Sequence, residues 1–557
     1  MKRRIGEWIV FVVSVSSFLL SLDGGPALRD LAFNADVLYA ATLYQDLIVD
    51  GNPLRGWSLT PSPYFFPDLF LYFCLRPWIT DGITSVYVSF LSQVLLLAFS
   101  LFYFLGSEED SDEGRTFVKS AAILVYSFFL ILPSFFYGTF HVFGFVSHGG
   151  ALSFSLISAG LWIRTNSRKP ASDSERGTPF VSVSVGAKTE TVSYFIKAVL
   201  FSLLQILLLV SDPLYFFFFS LPCVALSVRD FFSSKNRRRY APSLFLGAVT
   251  LAGLFCYRVL IRSDFVFIPT GYYAGETSWN FWKPIEDTIR YQNRPDSGPL
   301  LLLTFVYLSL FPILFYPKKS ADGATVRTVR KTTSSRRFEF LILAVALSSL
   351  GILGTGTISG LFRGEGIAIR YLLPLLFFWV PLQILAWSKH RSFFENKLYL
   401  LYIPILLLIT TSFLRGEIRF SLYEDPLTSC LDEKTKEYGL RKGMSDFWTS
   451  RRIRIFSKTG LRADNFLPDL HPEYWQNSWN WYTESSGGEY DFAVLPGLNR
   501  NDLIVSFGDP KTKITCDKND ILIWDKTSAE KFSRFRERKT REIDLWHKLT
   551  GRKRTTP

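Results

Sequence analysis

Apolar runs of about 20 residues, separated by short polar loops, recur from residue 5 to residue 413 and then stop. A helix crossing the roughly 30 Å hydrocarbon core needs about 20 mostly apolar residues, so this pattern predicts an α-helical polytopic membrane protein. Candidate spans lie near residues 5–22, 83–105, 118–137, 146–163, 194–211, 213–228, 242–262, 298–316, 338–358, 370–387 and 398–413, about eleven transmembrane helices. The apolar stretch Tyr64 to Trp78 is short, contains Pro67-Asp68 and is broken again by Arg76-Pro77. It reads as a helix lying at the outer interface, which leaves a first outside loop over 23–82, and early loops of that length are commonly functional. After residue 414 the chain turns charged and turn-rich, with strand-like runs such as Ile521-Leu522-Ile523-Trp524. The expected domains are a transmembrane unit over 1–413 and a small α+β domain over 414–557.

Composition sharpens this reading in two ways. Aromatic residues make up 17% of the chain, 53 of them Phe, which suits helices whose outer faces meet lipid, and the mean hydropathy of +0.18 averages two unlike parts. The net charge of +13 is concentrated in short loops beside spans, as in Arg229, Lys235, Arg237, Arg238 and Arg239. That is a topology signal and not a nucleic-acid footprint, so no nucleic-acid partner is expected. Basic loops 229–241, 317–337 and 388–397 are assigned to the cytoplasm, as is the N-terminus, and residues 263–297, 360–369 and the C-terminal domain to the outside. Loop 106–117 falls inside despite its acidic residues, which weigh little in the rule. The leading MKRR and residues 5–22 resemble a signal peptide, but Ser21-Leu22-Asp23-Gly24 has no clear small-x-small cleavage site, so they read as a retained first helix.

The residues able to carry chemistry gather on the outer side. Asp36 and Asp68 lie in the first outside loop, close to the membrane surface, where a carboxylate can take a proton from an attacking hydroxyl or amine, or bind a metal that neutralises a phosphate. The bland alternative is that Asp36 starts a juxtamembrane helix and Asp68 caps the next one. Asp212, in Ser211-Asp212-Pro213, sits at a tight helical hairpin, where Asp is often only a cap. His141 and His148 flank the turn before the fourth span; without Cys or acidic neighbours in sequence they are a weak metal signal. Arg363, Glu365 and Arg370 surround the outer start of the tenth span, followed by Tyr371. A guanidinium there can form forked bonds to phosphate oxygens, or simply snorkel to headgroups. A divalent metal is an open reading that the sequence does not require.

Ala35-Asp36-Val37-Leu38-Tyr39-Ala40 near the start of the first outside loop, the segment Tyr44 to Trp57 after it, the aromatic-proline segment Tyr64-Phe65-Phe66-Pro67-Asp68-Leu69-Phe70-Leu71-Tyr72 and the late Arg370-Tyr371-Leu372-Leu373-Pro374 stand in an order that resembles the GT-C superfamily of membrane glycosyltransferases. That superfamily includes protein O-mannosyltransferases, lipid A aminoarabinose transferases and oligosaccharyltransferases. The chain departs from it where relatives carry paired acids, having Asp36-Val37, and where some carry Lys-Pro-Pro, having Pro67-Asp68. The resemblance implies transfer of a sugar from a polyprenyl-phosphate donor to a glycan, lipid or protein acceptor at the outer face, with Asp36 as base and Arg370 on the leaving phosphate.

In the C-terminal part, the stretch Tyr474 to Tyr482 carries aromatics that stack on sugar rings when exposed, though most such residues are core. Cys430 and Cys516 are the only cysteines after residue 414 and can pair in an oxidising compartment. The basic tail Lys531 to Arg554 is either a solvated helix or a segment lying on anionic headgroups. Rival readings are a transporter or flippase for lipid-linked sugars, since the same loops could bind phosphate without chemistry, and a structural membrane subunit. Transporters usually show internal repeats, and none is evident here.

Overall fold

A computed structural model describes residues 2–106, 112–135, 139–167, 185–233, 241–263, 266–268, 333–358, 371, 377–389, 391–395, 397–483, 489–495, 497–525 and 528–549. The first part is helical: α1 (Lys2–Ser21), α2 (Pro26–Ala32), α3 (Tyr39–Tyr44), α4 (Phe70–Leu75), α5 (Gly82–Leu105), α6 (Asp112–Ile131), α7 (Phe140–Phe143), α8 (Gly149–Ser167), α9 (Val185–Ser211), α10 (Leu221–Ser233), α11 (Ala241–Arg262), α12 (Thr333–Ile358), α13 (Trp379–Lys389) and α14 (Tyr402–Leu414). Helices α1 and α6, α5 and α8, and α9 and α11 pack as pairs. Their core is aromatic, with Phe18 against Phe143 at 5.4 Å and Phe90 against Phe140 at 5.2 Å between ring centroids.

Among the described residues three helical stretches, Gly82–Leu105, Asp112–Ser134 and Leu244–Arg262, are long and apolar enough to cross a membrane, while Ile5–Ser21, Phe195–Ser211 and Leu398–Leu414 are apolar but shorter. This corrects the expected count of about eleven. Two physical reasons are visible. The run 213–228 is interrupted: a π-helical turn over Phe216–Ser220 precedes α10, which continues past the apolar run to Arg229 and Asp230. Helix α8 dilutes its apolar residues with Ser153, Ser155, Ser158 and Arg164. The expected span 298–316 lies outside the described residues, as does the start of 370–387 apart from Tyr371. What the helices turn outward fits lipid: Leu244, Leu251, Phe255 and Val259 form one exposed stripe on α11, and Ile196, Leu200, Leu203 and Leu207 another on α9. In water those positions would be polar.

The second part is an α+β unit with α15 (Pro426–Tyr438), β1 (Lys442–Ser445), α16 (Phe447–Phe456), β2 (Arg462–Asn465), β3 (Phe492–Val494), α17 (Arg500–Phe507), β4 (Thr512–Cys516), β5 (Asn519–Ile523) and α18 (Ala529–Leu549). Its sheet runs β2-β1-β3-β5-β4, parallel across β2, β1 and β3 and antiparallel across β3, β5 and β4. Asp425 caps α15 and Asp446 caps α16 through their side chains. Cys430 and Cys516 form a disulfide, Cα atoms 5.7 Å apart, tying α15 to β4. The basic C-terminal helix α18 turns Phe532, Phe535 and Ile543 onto the aromatic core of this unit, and Trp479, Trp481 and Tyr482 are buried there too, as core rather than as an open aromatic face.

The stretch between α2 and α5 is seated on this unit. Ser58 N–H donates to Asn477 O at 2.7 Å, and Trp479 N–H donates to Gly56 O at 3.1 Å. Beneath these strands the fully buried Asp46 accepts from the indole N–H groups of Trp57 and Trp481, both at 2.7 Å, from Asn52 at 2.9 Å and from Arg454 at 3.3 Å. The Arg454 guanidinium lies 3.9 Å from the Trp481 ring centroid and also reaches Asp50.

Candidate functional site

The loop carries carboxylates to two places. Asp36 stands half-buried in the turn before α3, where its carbonyl accepts from Tyr39 N–H at 3.3 Å. Its Oδ1 accepts from Gln476 Nε2 at 3.3 Å. Below it the buried Arg451 donates to the Ala35 carbonyl at 2.8 Å and to Gln476 Oε1 at 2.7 Å. Burial lowers Arg451 to about 10, against the attraction of Asp36, so the guanidinium stays charged at neutral pH. Burial also raises the carboxyl of nearby Glu473, which the charge of Arg451 opposes. Asp36 thus sits at the junction of loop and C-terminal unit.

The second place is at the beginning of α8 and the end of α9. Asp212 follows α9 directly, where its Oδ1 accepts from the N–H of Leu214 and the hydroxyl of Ser62, both at 3.1 Å, and its Oδ2 meets Nδ1 of His148 at 2.7 Å. His148 precedes α8, and its Nε2 faces the Tyr64 hydroxyl at 3.3 Å. Tyr64 is stitched to the end of α9 by its N–H on Ser211 O at 2.9 Å, and the Phe66 N–H donates to Ser211 Oγ at 3.0 Å. Asp68 is buried in the turn that follows, where its Oδ1 accepts from Val146 N–H at 3.1 Å rather than capping a helix. Burial, with the Val146 bond opposing and Asp212 reinforcing, pushes its carboxyl up to about 7. Gly150 in the first turn of α8 makes room for it: a Cβ there would stand 2.3 Å from Asp68 Oδ2 and 2.7 Å from the Pro67 ring.

Three non-glycine residues of this cluster hold left-handed backbone, Tyr64 at φ 58°, Val146 at φ 51° and His148 at φ 70°. Such residues cost on the order of 1–3 kcal/mol each and persist where the surroundings over-determine them, as at active sites. A carboxyl poised near neutrality beside a histidine oriented by a second carboxylate is an arrangement suited to moving protons.

Of the residues singled out in the sequence, Asp68 and Asp212 come together here, and Tyr371 joins them with its ring 5.2 Å from the His148 imidazole. Asp36 is at the other place. Arg363, Glu365 and Arg370 lie outside the described residues. The decisive partner, His148, was legible only as half of a weak metal spacing; the signal beside it was the pair Gly149-Gly150, of which Gly150 admits Pro67 and Asp68 and Gly149 admits Gln93. Among the described residues no group of three or more His, Cys, Asp or Glu is placed to hold a metal ion. Comparison of the chain with protein-family models, with curated proteins and with solved structures finds no match.

Proposed function

We propose that this chain is a membrane-embedded glycosyltransferase that moves a sugar from a polyprenyl-phosphate donor to a glycan, lipid or protein acceptor at the outer face. The reading includes the multi-pass topology inferred from loop charges, with a cytoplasmic N-terminus and the C-terminal unit outside. The observation that carries it is the seating of the first outer loop. One stretch sets Asp36 against the C-terminal unit and Asp68 against the ends of α8 and α9. A carboxylate therefore faces a domain able to hold a water-borne acceptor, while another lies where a lipid-borne phosphate would rest.

In this reading the acceptor hydroxyl or amine gives its proton to Asp36 as its oxygen or nitrogen bonds to the sugar C1. The C1–O bond to phosphate breaks with its electron pair on the phosphate oxygen. Arg363 and Arg370 meet the phosphate charge, with Glu365, Asp212 and Tyr371 in the binding shell. Transfer by the purified protein in lipid from polyprenyl-phosphate sugars tests this. Asp36→Asn cannot take the proton, so turnover should fall by about 10² to 10⁴ while donor binding survives. Near-normal turnover in that variant would remove Asp36 from the chemistry. A wild type that only carries donor lipid across vesicle membranes would make it a flippase instead.

A further inference from the structure

The transferase reading sets Arg363 and Arg370 against the charge of the departing lipid phosphate but names no group that gives it a proton. We propose that the row Tyr64, His148 and Asp212, with Asp68 beside it, is the proton-donating centre that protonates the phosphate oxygen of the leaving lipid. This role rests on the transferase reading and adds His148 and Asp212, which its motifs do not contain.

The geometry defines the direction of the row. Asp212 accepts from Ser62 and Leu214 and meets Nδ1 of His148 at 2.7 Å, so Nδ1 carries a proton. Nε2 lies 3.3 Å from the Tyr64 oxygen. When both ring nitrogens are protonated, Nε2–H donates to that oxygen and the phenol can pass its own proton on. A base oriented by a carboxylate and in reach of a hydroxyl is the recurrent signature of a group that transfers protons. Around it stand Asp68, reached through Val146, Tyr371 against the imidazole face, and Tyr257 of α11, whose hydroxyl bonds the Pro61 carbonyl at 2.6 Å. With Asp68 protonated, as its burial favours, the cluster presents one negative charge fewer to an approaching phosphate. With Asp68 ionised, it carries a net negative charge and repels phosphate. Ser62 and Tyr371 are only half-buried, so the cluster reaches the surface at its edge.

The step balances. As the C1–O bond breaks onto the phosphate oxygen, the Tyr64 phenol gives that oxygen its proton and takes the Nε2 proton of His148. His148 is left neutral with Nδ1–H on Asp212. The acceptor's proton is on Asp36, which returns it to water, and His148 takes one from water.

The test uses the full chain in lipid discs, with His148→Gln and Tyr64→Phe. The Phe variant removes a single hydroxyl, which keeps the test available if the Gln variant misfolds. Expected for both is a fall in kcat of about 10² or more with little change in donor KM, and a changed alkaline limb of the pH–rate profile in which only the part set by Asp68 remains. A donor of the same sugar on a leaving group that needs no proton, a 2,4-dinitrophenyl glycoside, should recover most of the loss in these variants but none in Asp36→Asn. In ¹⁵N-histidine NMR the wild type should show a hydrogen-bonded Nδ1 proton that disappears in His148→Gln. A uniform fall with both donors and a wild-type pH profile would reduce the row to a structural pin and overturn the proposal, as would absence of that Nδ1 proton. Failure of the wild type to transfer from any lipid-phosphate sugar would instead end the transferase reading, and this role with it.

Discussion

At the seam between the stretch after α3 and the C-terminal unit, Asp46, Asp50 and Asp464 are matched by Arg454, Arg462 and Lys442, whereas at the start of α8 and the end of α9 the histidine His148 pairs with Asp212, and Asp68 lies beside that pair. The seam spends two indole N–H groups and an asparagine on Asp46 alone. Asp68 has one backbone N–H from Val146 and a neighbouring carboxylate that repels it. Buried charge is tolerated when it is paired and fully hydrogen-bonded. The seam gives each of its carboxylates a cation, with Nε of Arg454 alone left buried without a bond, whereas in the cluster Asp68 has a second carboxylate for a neighbour, and the cluster also holds the three left-handed residues. The contrast separates a buried acid that locks two parts of the chain together from one kept ready to exchange a proton.

The strongest way to break the contrast is at Asp46. Asp46→Ala leaves both indoles facing an empty acceptor position while Arg454 keeps Asp50 and Asp464, and each stranded buried donor costs about 1 to 3 kcal/mol. Thermal unfolding in lipid should show that loss, with early proteolytic release of the C-terminal unit. A cost below about 1 kcal/mol would mean that the seam is held by Trp57 and Trp481 packing instead.

Asp68 predicts the opposite outcome, and its sign follows from the raised carboxyl. The unfolded chain releases this proton near the ordinary value of 3.8, while the folded chain keeps it up to about 7. Between those values the folded state binds more protons, so its stability falls as pH rises through the interval and stays at the lower level above it. At roughly 1.4 kcal/mol per unit, the full effect is up to a few kcal/mol. Asp68→Asn has no such proton, so melting measured at pH 5 and pH 8 should show a flatter dependence and a variant more stable than wild type at pH 8. A wild type equally stable at both values would place Asp68 in the same class as Asp46.

The helices of the first part were readable because apolar run length is a local property, and Cys430 and Cys516 stood out as the only cysteines after residue 414, but that their Cα atoms come within 5.7 Å is a matter of how α15 packs on β4. Asp68 and Asp212 were recognisable as carboxylates near the surface. Their connection was not, since His148 is 64 residues from Asp212 and meets it only through a left-handed turn that no propensity favours. Asp46 was passed over because in sequence it reads as an ordinary polar residue on a helix, and Trp481, which buries it, lies 435 residues away. The overcount of spans has the same origin: Phe216–Ser220 winds as a π turn after Asp212-Pro213, and that depends on what α12 and α8 press against it.

The smallest expected effect sharpens the comparison from within the seam. Arg462 pairs with Asp50 as Arg454 does, but its side chain is 43% exposed where that of Arg454 is 3% exposed. Water and salt already compensate an exposed guanidinium, and such pairs are worth roughly 0 to 1 kcal/mol. When Arg462 is cut back to Ala, Asp50 keeps Arg454 and the Gln45 amide at 3.3 Å, so no buried charge is stranded. Unfolding of Arg462→Ala should therefore lie within about 1 kcal/mol of wild type, and the difference should vanish in high salt. If it matched Asp46→Ala instead, the seam's charges would act as one coupled network, and exposure would not be what separates its strong members from its weak ones.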